Sequence, residues 1–129
     1  SDVYKRQRMY KYLQYDTGAA GAAAVAGEVA YYYTLDGYKN FQVTSDLSDS
    51  VEIGAGVIQA VMTDGQYGWF QVSGAATLTI ALTAGADGDP LTPTGAADGT
   101  LDVSAAATDN VCAIAGDISD KEIICTFPL

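Results

Sequence analysis

The chain has 129 residues and a formal charge of −10, from 6 Lys and Arg against 16 Asp and Glu, and it contains no histidine. This length allows one domain with one sizeable core, and the negative charge argues against a nucleic-acid partner because such binding depends on Lys and Arg. Without histidine the chain lacks the commonest general base, nucleophile partner and zinc ligand, so we expect no enzyme and no cofactor.

The first seven residues differ from everything that follows. Residues 1–7 read SDVYKRQ and contain two of the six basic residues. Residues 2–7 match the translation of a transposon-end oligonucleotide used to make sequencing libraries, so segment 1–7 resembles a non-native adapter scar at the edge of a metagenomic contig. The alternative is an ordinary basic N-terminal arm. If the scar is real, the native chain starts at Met9 or further upstream.

The next segment, residues 8–27, predicts a flexible N-terminal arm. Aromatic and polar residues alternate at Tyr10 and Tyr12, and Tyr15 follows, which favours a short extended segment. Residues 18–27 are almost all Ala and Gly and offer little apolar surface to bury. We interpret 8–27 as an arm that is flexible or becomes ordered on a partner. The alternative for the Ala-rich part is a short helix.

Residues 28–129 predict an all-β domain. Short β-branched and aromatic runs alternate with Gly, Asp, Asn and Ser at a spacing of about 8–12 residues. This pattern is typical of a small β-barrel or β-sandwich rather than of βαβ units. The predicted strands are Val29–Thr34, Phe41–Thr44, Gly56–Thr63, Gly68–Ser73, Ala76–Thr83, Pro90–Thr92, Thr100–Val103, Asn110–Ala115 and Glu122–Phe127.

The burial of several strands can also be predicted. Leu78, Ile80 and Leu82 alternate with smaller residues and should face the core. From Val57 to Met62 both faces are apolar, which predicts a strand covered on two sides. Residues 84–109 carry few large aliphatic side chains, so we expect a loose hairpin or an excursion at a sheet edge.

Acidic and cysteine residues offer little support for a metal site. Asp46, Asp49 and Glu52 lie close in sequence, as do Asp87 and Asp89, but neither group fits the loop of a helix-flanked calcium site. We therefore interpret them as solvated turn acids. Cys112 and Cys125 lack the CxxC spacing of zinc ligands and are either two buried free thiols or a bridge between neighbouring strands.

Tyrosines are frequent, with 9 in the chain beside a single tryptophan. In the predicted strand Val29–Thr34, Tyr31 and Tyr33 should share one face and Tyr32 the other. Such residues are typical of protein interfaces because a ring that contacts a partner can still satisfy its hydroxyl group. We expect Tyr31, Tyr33 and Trp69 to pack in the core or between subunits. A sugar-binding platform would use the same residue types.

The middle of the chain resembles the small decoration, or cement, proteins of tailed bacteriophage heads. The matching features are an aromatic first strand, a Gly-Val-Ile strand, the run Trp-Phe-Gln-Val-Ser-Gly and a Gly-Asp-Pro-Leu turn. They are followed by a late Ala-Ile-Ala-Gly segment. These features lie within residues 28–127, at 56–58, 69–74, 88–91 and 113–116. The resemblance implies a compact β-barrel or sandwich that forms a homotrimer on the outer capsid surface and clamps the major capsid protein.

This resemblance leads to a specific functional expectation. We expect a non-enzymatic virion protein, assembled in the host cytoplasm, with the major capsid protein as partner. Because no apolar run reaches the roughly 18 residues of a membrane span, we expect no membrane partner. Deleting residues 9–27 should leave the domain folded but abolish capsid binding. The alternative function is a carbohydrate- or surface-binding β module of a fibre or adhesin. The residues expected to contact the capsid are Tyr10, Lys11, Tyr12 and Tyr15.

Overall fold

The structure, a computed structural model, describes residues 7–19, 21–34 and 36–128 and contains mostly β-strands. The all-β prediction is confirmed. Residues 1–6, and with them nearly all of the segment interpreted as a scar, lie outside the described residues. No helix in the described part is long or apolar enough to cross a membrane. The elements are β1 (Met9–Tyr15), β2 (Val29–Tyr33), α1 (Gly37–Asn40), β3 (Gln42–Thr44), β4 (Ser50–Ile58), β5 (Tyr67–Thr77), β6 (Pro90–Thr92), β7 (Asp102–Val103), β8 (Ala113–Asp117) and β9 (Glu122–Thr126).

The first five strands close into a small barrel. Their order is β1-β3-β2-β4-β5, and β5 pairs antiparallel with β1 to complete the ring. β1 and β3 are parallel and meet at Gln14 and Tyr15, whereas the other neighbours in the ring are antiparallel. A closed barrel leaves fewer strand edges unpaired than an open sheet does, so the closing pair β1–β5 is central to this fold.

The long strand β5 also begins a second sheet, in the order β5-β9-β8-β6-β7. Its residues 70 and 71 pair with β4, and from Ser73 onward it pairs with β9. The sequence predicted two strands here, broken near Gly74. The structure has one strand that continues through Gly74, whose φ of 87° glycine reaches without strain. It ends at Thr77, so most of the predicted strand Ala76–Thr83 is not a strand.

Two hydrophobic cores follow from this arrangement. One fills the barrel and the other lies between the β2–β4 wall and the second sheet. Val57 belongs to the second core and Ile58 to the first, so the strand predicted from Val57 to Met62 to be covered on two sides is confirmed at these two positions. It is wrong beyond them, because β4 ends at Ile58 and residues 59–61 are exposed. The largest barrel residues are Leu13, Tyr15, Tyr32, Val43, Ile58 and Phe70. Those of the second core include Tyr31, Val57, Leu91, Leu101, Ile123 and Phe127.

The expected separate arm is replaced by a barrel strand. β1 pairs with β5 from Met9 to Gln14, and Leu13 and Tyr15 are fully buried inside the barrel. The Ala-rich segment that follows forms turns rather than a helix, and its buried Ala24 bridges to Met62. The boundary at residue 28 therefore does not separate an arm from the domain, and a chain without residues 9–27 would lack a wall of the barrel.

Residues 84–109 do form an excursion at a sheet edge. β6 and β7 pair with each other, and β7 is the last strand of the second sheet. The excursion is not loose, since Leu91 and Leu101 are fully buried in the second core. The buried hydroxyl group of Tyr31, on strand β2 of the barrel, holds the excursion in place. It donates to the carbonyl oxygen of Ala97 and accepts from the amide of Thr100.

Candidate functional site

Four large aromatic side chains share the outer surface of β1 and β5. Tyr10, Tyr12, Tyr67 and Trp69, here called the aromatic face, are each 46–57% exposed. Tyr12 stacks on Tyr67 with a centroid separation of 5.7 Å and an angle of 16°, and it meets Trp69 at 5.0 Å. Because side chains alternate across a strand, the intervening Leu13 points into the barrel. Its exposed aromatic rings make this face the candidate binding surface of the chain.

The aromatic face unites residues that the sequence assigned to different partners. Tyr10 and Tyr12 were expected to contact the capsid, and Trp69 to pack in the core or between subunits. Trp69 is not in the core, because it is more than half exposed and lies directly opposite Tyr12 in the β1–β5 register. A single partner that covered Tyr12 would also cover Trp69, so the surface is best treated as one site.

Tyr15 does not belong to this surface, which corrects the contact predicted for it. Its ring is fully buried in the barrel core. The hydroxyl group lies 2.7 Å from both the carbonyl oxygen of Ala22 and the Oγ of Ser45. Burial raises the pKa of this phenol. Tyr15 thus stabilises the barrel and cannot reach a capsid protein in this fold.

Lys11 lies between Tyr10 and Tyr12 but points away from the aromatic face. Its ammonium group donates to the hydroxyl group of Tyr32 at 3.0 Å. It also lies 5.5–5.9 Å from the ring centroids of Tyr32, Tyr38 and Phe41, within range of cation–π attraction. Lys11 is half-buried, so its ammonium group mainly contacts these internal residues and not a partner.

The other two predicted packing residues lie elsewhere. Tyr31 is a fully buried residue of the second core, and burial raises its pKa far above the ordinary value. Tyr33 is half-buried, and its pKa is raised chiefly by the nearby carboxylate of Asp16 and then by burial. Neither residue contributes to the aromatic face.

A groove continues from the aromatic face along the outer surface of β5. Its wider part, about 510 Å³, is lined by Tyr10, Gln59 and Trp69. The narrower part, about 230 Å³, shares Tyr10 and Gln59 and extends past Gln71. We call this depression the glutamine groove. The other lining residues are Arg8, Ala75, Ala76, Thr77 and Glu122.

The two glutamines of the groove have defined orientations. Gln71 is only 4% exposed, and its amide nitrogen donates to the carbonyl oxygens of Ser73 at 3.0 Å and Ala75 at 2.8 Å. The amide nitrogen of Gln59 donates to the carbonyl oxygen of Val57 at 2.9 Å. Neither glutamine was among the site residues predicted from the sequence. The sequence did indicate the placement of Gln71, because it follows Trp69 by two residues in one strand and so lies on the same face.

The acidic turn residues bind backbone amides. A carboxylate oxygen of Asp46 accepts from the amide of Ser48, and one of Asp49 accepts from that of Ala19. Asp87 and Asp89 accept from the amides of Ile118 and Ala86 in the same way. Among the described residues, no three His, Cys, Asp or Glu side chains gather as a metal site. These acids hold turns, as Asp commonly does.

Comparison with known proteins identifies a similar fold. The structure resembles the head fiber gp8.5 N base of bacteriophage phi29, with a TM-score of 0.56 and 16% sequence identity. The match covers 95% of this chain and 98% of that chain. No protein-family model matches the sequence, and no curated protein matches it significantly. At this identity the similarity establishes a shared fold, which extends over nearly the full length of both chains.

Proposed function

We propose that this chain is a structural protein of a tailed-bacteriophage head and acts without catalysis. The observation that carries the proposal is the fold shared with the phi29 head fiber base over 95% of the chain. The finer role is that of a decoration, or cement, protein that binds the major capsid protein on the outer surface of the head as a homotrimer. The sequence features that resemble decoration proteins support this role.

The net negative charge of the chain also supports a position outside the head. The chain carries −10, and a body so acidic is repelled by the packaged DNA. A protein on the outer surface avoids this repulsion. Repeated weak contacts around a symmetric shell would add up to stable attachment.

A role without catalysis is supported by how the reactive side chains are used. Asp46, Asp49 and Asp87 accept hydrogen bonds from backbone amides. Cys112 and Cys125 are buried, and burial raises the pKa of the Cys125 thiol to about 12, so neither is an activated nucleophile. The exposed surface offers aromatic rings and amides, which suit binding.

The direct test is reconstitution on capsid shells. Shells are assembled from the major capsid protein encoded by the same phage genome, mixed with the purified chain and sedimented through a gradient. We expect saturable co-sedimentation at a fixed copy number per shell. Bovine serum albumin, another acidic protein, serves as the control and should remain at the top. Failure of the chain to co-sediment at a molar excess over shell subunits would refute the proposal.

A further inference from the structure

We propose that the aromatic face and the glutamine groove together form a binding site for a neutral, hydroxyl-rich oligosaccharide. This inference goes beyond the proposed structural role, which does not require it. It assigns the face to a glycan, and therefore places head attachment on another surface of the domain. Three independent features of the site lead to this ligand class.

The first feature is the carboxamide of Gln71. Both hydrogens of its amide nitrogen are directed to backbone carbonyls, so the side chain cannot rotate without breaking two hydrogen bonds. Its amide oxygen accepts no hydrogen bond from any described residue, although only 4% of the residue's surface is exposed. No fully covered side-chain oxygen or nitrogen in the described chain lacks a partner. This oxygen is therefore open to the groove, where it offers an oriented acceptor.

Gln59, an exposed residue, offers a second carboxamide at the wider end of the groove, held by one hydrogen bond rather than two. Its nitrogen is held by the carbonyl oxygen of Val57, which leaves the amide oxygen as a second acceptor beside Trp69. A ligand that brings hydrogen-bond donors to both places can bond to both amide oxygens. Hydroxyl groups supply such donors, and they also accept from the guanidinium of Arg8 at the narrow end.

The second feature is the aromatic surface that precedes these acceptors. Trp69 and Tyr10 line the groove, and Tyr12 and Tyr67 extend the apolar surface beside it. The exposed rings can cover the C–H face of a pyranose while leaving its hydroxyl groups at the edges free to bond. Amphipathic aromatic residues are suited to ligands that are apolar on one side and polar on the other.

The third feature is the local charge. In a chain with 16 acidic residues, Glu122 is the one carboxylate among the described residues that line the groove, and it shares the narrow end with Arg8. The aromatic face itself carries no charge. The groove is thus close to neutral, and the volume of its wider part falls within the roughly 300–1,000 Å³ of small-molecule sites. A neutral ligand fits these surroundings better than a strongly basic or acidic protein segment.

The single tryptophan makes the site directly measurable, because all tryptophan emission comes from Trp69. The purified full chain is titrated with cellohexaose, maltoheptaose and a hexamer of N-acetylglucosamine, with polygalacturonate as the charged comparison. We expect a saturable change in emission with at least one neutral glycan and none with polygalacturonate. Calorimetry should give a Kd at least tenfold weaker for Trp69→Ala and for Gln59→Leu. Tyr38→Ala, which removes a similarly exposed tyrosine outside the site, should bind like the parent chain.

Several outcomes would overturn the inference. No response to any neutral glycan, or undiminished binding by Trp69→Ala that still unfolds cooperatively, would rule out the site. Loss of capsid-shell binding in Trp69→Ala would identify the face as the head contact. Loss of self-association in that variant would identify a second copy as the occupant. If the chain binds glycan but does not co-sediment with capsid shells, the proposed structural role is refuted and the glycan site is supported.

Discussion

Tyr12 on β1 lies directly opposite Trp69 on β5, and their ring centroids are 5.0 Å apart. This pair sits on the outside of the contact that closes the barrel, between the first strand and the fifth. The same contact therefore closes the fold and builds the candidate binding surface. A change in the β1–β5 pairing would disturb both.

The two rings should be energetically coupled. A double-mutant cycle with Tyr12→Ala and Trp69→Ala is expected to give an interaction of about 0.5–1.5 kcal/mol, the usual range for aromatic pairs. Urea unfolding of the four proteins measures it. The comparison pair, Tyr38→Ala with Trp69→Ala, should be additive within about 0.5 kcal/mol, because these residues have no contact. Additivity of the first pair would contradict the tilted ring contact between Tyr12 and Trp69.

Adjacent residues of β1 should respond very differently to truncation. Leu13 is fully buried in the barrel, so Leu13→Ala should lower the free energy of unfolding by about 2–5 kcal/mol. The side chain of Tyr12 is half exposed and points out of the barrel, so Tyr12→Ala should lower the free energy of unfolding by no more than about 1.5 kcal/mol. Urea denaturation compares the two. Equal and negligible effects would show that β1 is a detached arm after all.

Stability should fall in alkaline solution. Tyr31 is buried, which raises the pKa of its phenol above the ordinary value of 10.0, and the buried thiols of Cys112 and Cys125 are raised above 9.0 in the same direction. The unfolded chain therefore releases these protons first, and the stability that the neutral groups contribute is present at pH 8 and is lost progressively above about pH 9.

Urea midpoints at pH 8 and pH 11 test this expectation, with Tyr31→Phe as the comparison. The variant lacks the titrating hydroxyl group and should show a shallower decline above pH 10. At pH 8 it should be less stable by about 1–3 kcal/mol, because the buried amide of Thr100 loses its acceptor at 3.0 Å and keeps only the carbonyl oxygen of Ala97 at 3.4 Å. Identical pH dependence in the two proteins would mean that Tyr31 does not control the alkaline decline.

The two cysteines should react only when the chain unfolds. Both are free and buried, and the thiolate is the reactive form. Ellman's reagent at pH 8 should label neither thiol quickly in the native protein and both in urea. Rapid labelling without urea would contradict their burial, and no labelling in urea under non-reducing conditions would show a disulfide between them.

The sequence was sufficient for the fold class but not for the strand boundaries. β4 spans Ser50–Ile58, whereas the predicted strand ran from Gly56 to Thr63. Gly54 and Gly56 lie within β4 at positions that have no room for a side chain. A Cβ at Gly54 would lie 2.7 Å from the Sγ of Cys112, and one at Gly56 would lie 2.9 Å from the Cβ of Phe70. Close packing between layers, which a single sequence does not reveal, explains these glycines.

The candidate site was only partly predictable for a similar reason. Exposed tyrosines in β1 and the single tryptophan were recognised, but their contact depends on the pairing of strands more than 50 residues apart. Tyr15 continues the aromatic pattern of β1 and was grouped with Tyr10 and Tyr12, yet strand alternation turns its ring inward with that of Leu13. Gln71 acquires its role only because its side-chain nitrogen lies 2.8 Å from the carbonyl oxygen of Ala75, four residues later in β5.

The proposed place of this protein in a virion is tested most directly by mass spectrometry of purified particles. Virions of the phage that encodes the chain are banded on a density gradient, and peptides of this protein and of the major capsid protein are quantified. We expect a fixed ratio of the two proteins across the particle band and in DNA-free heads. Absence of the chain from the banded particles, or a ratio that falls with each further gradient, would contradict its assignment as a structural protein of the head.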